Sequence, residues 1–450
     1  MFDSKSFINN LPYYYLMTTD ELISISNYKG ISYLEFQPKE INIIVGPNNT
    51  GKSSVLEAIG LLHSNDNNFK DIKNFNLINH IIKSEYYTKD DLFFKGNVAE
   101  LKIDCPHPLE IEIYYDKISN HLHAKTVMNA FQNHYLSRKD NLLKQFIINR
   151  KIQLMQKNGK IEIPSNITDE QVDDFVKNKI KNELEAPLQK AIFDIQSKKH
   201  LFFFVFKDNS LYEAYAEPLS IDYFPKNKIV RGYIQNFNHT IVKKNMKITN
   251  RLIKIYSAGN YEDKKENNII IDFQNHVNIG LIRYLYQELI KSNSIDKSIG
   301  FLKNSISSFV DIRYTGKDFY VTQNTLDKPL PLINMGDGFI TLIKLGFLFG
   351  LVEKGTIILE EPEQYMHPGY LDILAEFIIE NSKWVKFYFS THSHDLIRSL
   401  LIWSERKNRL SKIQILKMDL RIDSSIGYEI IKGTDALEEL ETIKTDLRGS

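Results

Sequence analysis

The sequence has very little cysteine, and this scarcity restricts what the protein can be. Its 450 residues include a single cysteine, Cys105. One thiol cannot form an internal disulfide, and it cannot supply a multi-cysteine zinc or iron–sulfur site. We therefore expect a reducing compartment.

Long apolar runs and an excess of one charge are also missing. The apolar run Leu345–Val352 is far shorter than the roughly 18–20 residues of a membrane span. The first residues, MFDSKSFINNLPYYY, lack the cationic and apolar segments of a secretory signal. Lysine and arginine total 57 against 56 acidic residues, which excludes a nucleic-acid coat protein that is basic throughout but leaves room for a local basic patch. We expect a cytoplasmic globular protein with no membrane partner.

Short strands and helices alternate at both ends of the chain. Strands are predicted at Leu22–Ile25, Tyr33–Phe36 and Ile41–Val45, and a strand–helix alternation runs from Val310 to about Leu401. A more helical stretch, about 125–196, lies between them and sustains no heptad repeat, which excludes a long coiled-coil arm. The pattern predicts an α/β core with a mixed sheet, split by a large α+β insertion.

A glycine-rich segment, Gly46–Ser53, reads GPNNTGKS and matches G-x4-G-K-[S/T]. It follows a predicted strand and precedes a predicted helix, so its backbone N–H groups and the helix N-terminus can bind phosphate. Lys52 would reach the β- and γ-phosphates, and the Ser53 hydroxyl would ligate Mg²⁺. The alternative is an ordinary glycine turn that caps a helix. The predicted nucleotide contacts in this segment are Gly46, Asn48, Asn49, Thr50, Gly51, Lys52, Ser53 and Ser54.

Two acids end a short apolar strand, Thr356–Leu359, further along the chain. A phosphate-cleaving enzyme needs one acid to hold hydrated Mg²⁺ and a second to orient and deprotonate water. Glu360 is predicted in the first role and Glu361 in the second. His392 follows another apolar strand and is predicted to sense the γ-phosphate. Taken singly, the acids could be a solvated strand end and the histidine a surface or core residue.

Four segments together resemble the ABC-type ATPases of the SMC and OLD branch, and more narrowly the stand-alone ATPases related to the OLD nuclease. They are Ile25–Gly30, GPNNTGKSSVLEAI, ILEEPEQYMHP and STHS. The resemblance implies a P-loop NTPase fold of ABC type, with ATP and Mg²⁺ as cofactors. The predicted catalytic residues are then Glu361, His392 and Lys52, and the predicted metal ligands are Ser53 and Glu360.

The resemblance also implies a homodimer in which two subunits enclose ATP. Each subunit would present a signature motif, here Asn334–Gly338, to the other's phosphate loop. Gly336 and Gly338 would let backbone amides approach the partner's γ-phosphate; the alternative is a plain glycine turn before a buried helix. His367, in the loop after the acidic strand, could cross to the partner or be a simple turn residue. Two departures from the family are Glu360 in place of its usual aspartate and Gly336 in place of its usual serine.

The nuclease domain of OLD proteins, called Toprim, is not expected in this chain. Only 57 residues follow Ser393, and Asp419 and Asp423 do not form an Asp-x-Asp pair. Any cleavage would need a separate nuclease or toxin, as in two-gene phage-defence systems that pair an ATPase of this type with an effector. This link rests on analogy with the family alone.

The segment Pro225–Lys254 is strongly basic in an otherwise neutral chain. It contains eight cations and no acid, with Tyr233 and Phe237 among them. Clustered cations neutralise phosphates and aromatics stack on bases, so duplex DNA is the favoured ligand; an acidic protein partner and a solvated face remain open. The candidate DNA contacts are Lys226, Lys228, Arg231, Lys243, Lys244, Lys247, Arg251 and Lys254.

These features predict three segments and one leading function. Residues 1–110 and 301–450 would form the two parts of the ATPase core, and residues 111–300 the insertion, a candidate dimer, DNA or partner surface. The predicted function is a Mg²⁺-dependent ATPase that dimerises around ATP and couples this to DNA or to an effector, in antiviral defence or DNA repair. The main alternative is a slow ATP-gated scaffold that holds a nuclease or toxin without binding DNA. A P-loop kinase or GTPase is disfavoured, because the core halves contain no Asn-Lys-x-Asp segment after a strand.

Overall fold

The computed structural model describes residues 21–63, 92–96, 98–105, 108–117, 199–216, 253–257, 268–272, 279–352, 354–421 and 425–442. The chain forms two compact units: residues 1–111 with 260–450, and residues 112–259. The helical stretch predicted at about 125–196 lies outside the described residues. So do seven of the eight candidate DNA contacts, namely Lys226, Lys228, Arg231, Lys243, Lys244, Lys247 and Arg251.

The described strands and helices alternate along most of the first unit. The strands are β1 (Leu22–Tyr28), β2 (Ile31–Phe36), β3 (Ile41–Val45), β4 (Val98–Asp104), β5 (Leu109–Lys117), β6 (Lys199–Lys207), β7 (Ser210–Ala216), β8 (Ile253–Ser257), β9 (Asn268–Asp272), β10 (Phe309–Tyr314), β11 (Phe319–Gln323), β12 (Leu330–Pro331), β13 (Gly355–Glu360), β14 (Val385–Ser390), β15 (Ile413–Leu420) and β16 (Ile426–Lys432). The helices are α1 (Lys52–His63), α2 (Ile279–Lys291), α3 (Ile295–Ser305), α4 (Asp337–Leu351), α5 (Pro368–Asn381), α6 (His394–Arg406) and α7 (Gly433–Thr442).

A six-stranded sheet forms the centre of the first unit, in the order β16-β15-β3-β14-β13-β9. Every neighbouring pair is parallel except β15 and β16. All five residues of β3 are buried, as expected of a parallel strand that is covered on both faces. Its Ile41 and Ile43 belong to a core that includes residues of α2 to α6. On the opposite face, α1 contacts β13 and β14 of this sheet and also β1 and β4.

A buried polar network joins the middle strands of this sheet. Asn42 on β3 is fully buried and donates through Nδ2 to the carbonyl oxygens of Lys39 (2.7 Å) and Phe387 (3.0 Å). Its Oδ1 accepts from the Lys39 amide (2.8 Å) and from Gln414 Nε2 (2.7 Å). Since the side-chain amide of Asn42 is bonded at both ends, its burial is compatible with a stable core. The network ties β14 and β15 to β3, the strand that leads into the phosphate loop.

The remaining strands form smaller arrangements. In the first unit β1 pairs antiparallel with both β2 and β4, and β10, β11 and β12 form a three-stranded sheet. β5 spans the division between the units. In the second unit β7 pairs antiparallel with β6 and with β8, and β8 carries Lys254. Among the described helices, none combines the length and apolar character needed to cross a membrane.

Candidate functional site

Parallel pairing places the three sequence motifs at one edge of the central sheet. β3, β14 and β13 are neighbours, with Glu360 opposite Ser390 and Ser390 opposite Ile44. The loops that follow these strands therefore emerge side by side at their carboxyl ends, where open α/β sheets bind ligands. One of these loops is the phosphate loop, and the other two carry the acidic pair and His392.

The phosphate loop has the backbone that its glycines allow. Gly46 has φ 146° and Gly51 has φ 83°, a region that favours glycine. A Cβ on Gly46 would lie 2.4 Å from the backbone oxygen of Met418, so no larger residue fits there. The buried Thr50 donates through Oγ1 to the carbonyl of Pro47 (2.8 Å), while Asn48 and Asn49 are exposed. The loop is thus shaped by the chain itself, with exposed residues at its tip.

Lys52 begins α1 and turns its ammonium back into the loop. Nζ donates to the carbonyl oxygens of Gly46 (2.9 Å) and Pro47 (2.7 Å), and only 7% of the residue is exposed. Burial lowers the pKa of Lys52, and the charges of Glu361 and Glu360 oppose that shift. The structure therefore places one buried cation between the loop and the acidic pair.

Ser53 and Glu360 meet directly, although 307 residues separate them in the chain. The Ser53 hydroxyl donates to Glu360 Oε1. Burial raises the pKa of Glu360, the Ser53 hydrogen bond lowers it, and the nearby Glu361 and Glu57 raise it further. These hard oxygen donors suit Mg²⁺. The described residues hold no group of three or more His, Cys, Asp or Glu that could bind a metal, so phosphate and water oxygens would have to complete its coordination.

Glu361 is held at both carboxylate oxygens. Oε2 accepts from Gln364 Nε2 at 2.6 Å, and Oε1 lies 3.3 Å from His392 Nε2. The backbone of Glu361 has φ 45°, a left-handed conformation that costs a non-glycine residue about 1–3 kcal/mol and that clusters at functional sites. Its N–H donates to the carbonyl of Ser390 (3.1 Å). The contact with Gln364 was not among the sequence predictions, because the motif alone does not say which way that side chain turns.

The two signature glycines occupy different environments. Gly336 is exposed and is the N-cap of α4, with φ −65° and no atom within 4 Å of an added Cβ. Gly338 is buried, and a Cβ there would lie 2.5 Å from the carbonyl oxygen of Tyr365. Packing within the chain therefore requires glycine at 338 but not at 336. His367, in the same loop as Tyr365, is the N-cap of α5, where its Nδ1 accepts from the Gly369 amide (3.3 Å).

We expect serine substitutions at these two glycines to differ in their effect on stability. Gly338→Ser forces the loop at Tyr365 to move and should lower the free energy of unfolding by about 1–3 kcal/mol. Gly336→Ser adds a favoured N-cap residue in open space and should change it by less than about 0.5 kcal/mol. Urea denaturation of both variants measures the difference. Equal midpoints would show that the contact between Gly338 and the loop carries no stability.

Comparison with known proteins agrees with this geometry. A 121-residue segment is 25% identical to the uncharacterized protein MJECL11 of Methanocaldococcus jannaschii, covering 26% of this chain and all of that protein. The structure is similar to the SMC head domain from Thermotoga maritima (11% identity, TM-score 0.40, 92% of this chain and 98% of that one). It is also similar to the Smc head domain of Pyrococcus furiosus bound to the C-terminal domain of ScpA (12% identity, TM-score 0.41, 95% and 99%).

A family match extends across most of the chain. The family described as AAA ATPase domain matches residues 21–397, a range that includes the phosphate loop, the acidic pair and His392. The mixed α/β P-loop fold and the ATPase activity predicted from the sequence are confirmed. The protein belongs to the AAA ATPase domain family and is an ATPase.

Proposed function

We propose that this protein is an ABC-type ATPase that binds ATP and Mg²⁺ at the edge of the central sheet and dimerises around the nucleotide. The observation that carries the proposal is the convergence of Lys52, Glu360, Glu361 and His392 at that edge, with both carboxylate oxygens of Glu361 in contact with neighbouring side chains. Such an arrangement suits phosphoryl transfer, which depends on positioning and on charge stabilisation.

The phosphate-binding half of the site would consist of the loop, Lys52 and the pair Ser53–Glu360. The exposed loop amides and the N-terminus of α1 attract phosphate oxygens. Lys52 would leave its carbonyl partners to contact the β- and γ-phosphates. Ser53 and Glu360 would hold Mg²⁺, which supplies neutralisation of the phosphate charge when bound. Glu360 is one methylene longer than the usual aspartate, and in this structure its carboxylate already reaches the Ser53 hydroxyl.

The hydrolytic half would consist of Glu361 and His392. Glu361 would accept the proton of the attacking water, since its carboxylate is oriented by Gln364 on one side and lies beside His392 on the other. His392 would sense the γ-phosphate from the turn after β14. The left-handed backbone of Glu361 aims this side chain away from the strand direction.

The second subunit would contribute Gly336 and Gly338 at the start of α4. Two features support a partner there. Gly336 is exposed with open space around it, and the apolar side chain of Ile333, just before it, is 70% exposed. A helix N-terminus that faces outward can bind a phosphate held by another subunit.

The ATPase cycle would be coupled to duplex DNA or to a separate nuclease or toxin, in antiviral defence or DNA repair. The basic segment Pro225–Lys254 supports DNA, because it holds eight cations without an acid. The alternative is a slow ATP-gated scaffold that holds and releases its effector without binding DNA.

ATP turnover with and without duplex DNA tests this coupling. We expect DNA to stimulate turnover, and we expect the triple change Lys243→Glu, Lys244→Glu and Lys247→Glu to abolish the stimulation while leaving basal turnover unchanged. The same charge change at three exposed lysines of the first unit, Lys303, Lys383 and Lys432, is the control. Turnover that does not respond to DNA would favour the scaffold, and the next measurement would be retention of a co-expressed effector.

A further inference from the structure

Glu363 connects two of the loops that build the site. It lies in the loop after β13, three residues beyond Glu360, and its Oε1 accepts two hydrogen bonds from the turn after β14. The donors are Thr391 Oγ1 (2.6 Å) and the backbone N–H of His392 (2.9 Å). Thr391, which is fully buried, also accepts the N–H of Ser393 on its hydroxyl (3.0 Å). One carboxylate oxygen thus organises three successive residues of the turn.

The position of Glu363 is energetically unfavourable apart from these contacts. Its Oε2 is buried and has no hydrogen-bond partner in the described part of the chain. Burial raises the pKa of Glu363, and the hydrogen bonds from Thr391 and His392 lower it. A buried carboxylate oxygen without a partner costs free energy. An apolar side chain would avoid that cost, so the contacts of Oε1 need another reason.

The turn held by Glu363 carries His392. The imidazole Nε2 lies 3.3 Å from Glu361 Oε1, and the ring direction depends on the backbone at 391–393. Ser393 begins the next element by capping α6, accepting the Leu396 N–H on its hydroxyl (3.1 Å). The contacts of Oε1 that the described residues show are confined to this turn, so Glu363 can influence the reaction through the placement of His392.

We propose that Glu363 is a positioning residue for ATP hydrolysis, which fixes the turn 391–393 and so holds the His392 imidazole against Glu361. The proposal rests on the roles proposed above for Glu361 and His392. It assigns to Glu363 an accepting oxygen and no proton transfer. A glutamine carbonyl can accept the same two hydrogen bonds, whereas alanine can accept neither.

The test compares Glu363→Ala and Glu363→Gln with the wild-type chain in steady-state ATP turnover. A displacement of about 1 Å in a catalytic group can cost about 100-fold in rate, so Glu363→Ala should lower kcat by up to that factor with KM for ATP within about 2-fold of wild type. Glu363→Gln should retain most of the wild-type kcat. If glutamine is as inactive as alanine, Glu363 acts through its charge and the positioning role is wrong.

A double-mutant cycle with His392→Ala separates positioning from a general loss of structure. If Glu363 acts through His392, Glu363→Ala should have little further effect on kcat in the His392→Ala background. Multiplicative losses would overturn the proposal. Should Glu363→Ala not fold, Thr391→Val removes the same anchor from the other side and Thr391→Ser retains the hydroxyl. We then expect a lowered kcat for valine alone.

The two proposals can fail separately in these measurements. If His392→Ala hydrolyses ATP as fast as the wild type, the function proposed for His392 is wrong. If His392→Ala is impaired while Glu363→Ala and Thr391→Val are both normal, the proposed function survives and the positioning role of Glu363 is wrong.

Discussion

Glu361→Gln is expected to lower ATP turnover by about 100-fold to 10,000-fold, the range in which general bases contribute, while ATP binding is retained. The amide is nearly isosteric with the carboxylate and can still contact Gln364 and His392, but it cannot accept the proton of water. Lys52, Ser53 and Glu360 stay unchanged, so the nucleotide should bind as before. Bound ATP that is not hydrolysed should trap the dimer.

Turnover and mass in solution measure the two parts of this result. Dimerisation is followed by light scattering at saturating ATP and Mg²⁺, and Glu380→Gln, a carboxylate-to-amide change at the partly exposed ion pair with Lys407, is the control. A Glu361→Gln variant that remains monomeric at saturating ATP would refute the two-subunit site. Unchanged turnover would instead remove Glu361 from the role of base.

Lys52→Met is expected to weaken ATP binding by about 100-fold, since hydrogen bonds to charged groups are worth about 1.5–3 kcal/mol each. Methionine preserves the buried aliphatic part of the side chain but cannot donate to phosphate. It also leaves the phosphate beside Glu360 and Glu361 without the cation that now lies among them. We expect neither ATP binding nor turnover at nucleotide concentrations that saturate the wild type.

Titration calorimetry with ATP and Mg²⁺ measures this effect. Lys407→Met, at the partly exposed lysine that pairs with Glu380, controls for the loss of one positive charge. Full affinity in Lys52→Met would contradict the assignment of the loop as the phosphate site. The variants Glu361→Gln and Lys52→Met are informative together, because the first should bind without hydrolysis and the second should do neither.

Local pattern was sufficient for the elements beside the phosphate loop. The predicted strand Ile41–Val45 has the same bounds in the structure, and the apolar positions Val55, Leu56, Ile59 and Leu62 of the following helix are all buried. These elements are short in sequence, and alternating or continuous apolar residues report directly on their burial. The Gly-x4-Gly-Lys-Ser spacing depends on backbone conformation within eight residues, which is also a local property.

Pairing between distant strands was beyond the reach of the sequence. β9, β15 and β16 were not predicted, yet β9 and β16 are the two edges of the central sheet and β15 pairs with β3. β15 has no motif beside it, and its mixture of polar and apolar residues, IQILKMDL, does not indicate a parallel strand beside the phosphate loop. Its place depends on hydrogen bonds to residues more than 360 positions away.

The sequence by itself determined that this chain has a phosphate loop, an acidic strand end and a histidine turn, and it indicated the chemistry of each. Only the tertiary structure decided that Ser53 meets Glu360 across 307 residues and that Glu363 holds Thr391 and His392 across 28 and 29 residues. It also decided that glycine is required at 338 and not at 336. The physical reason is that backbone conformation follows from neighbouring residues, whereas the partner of a side chain follows from which strands pair and in which register.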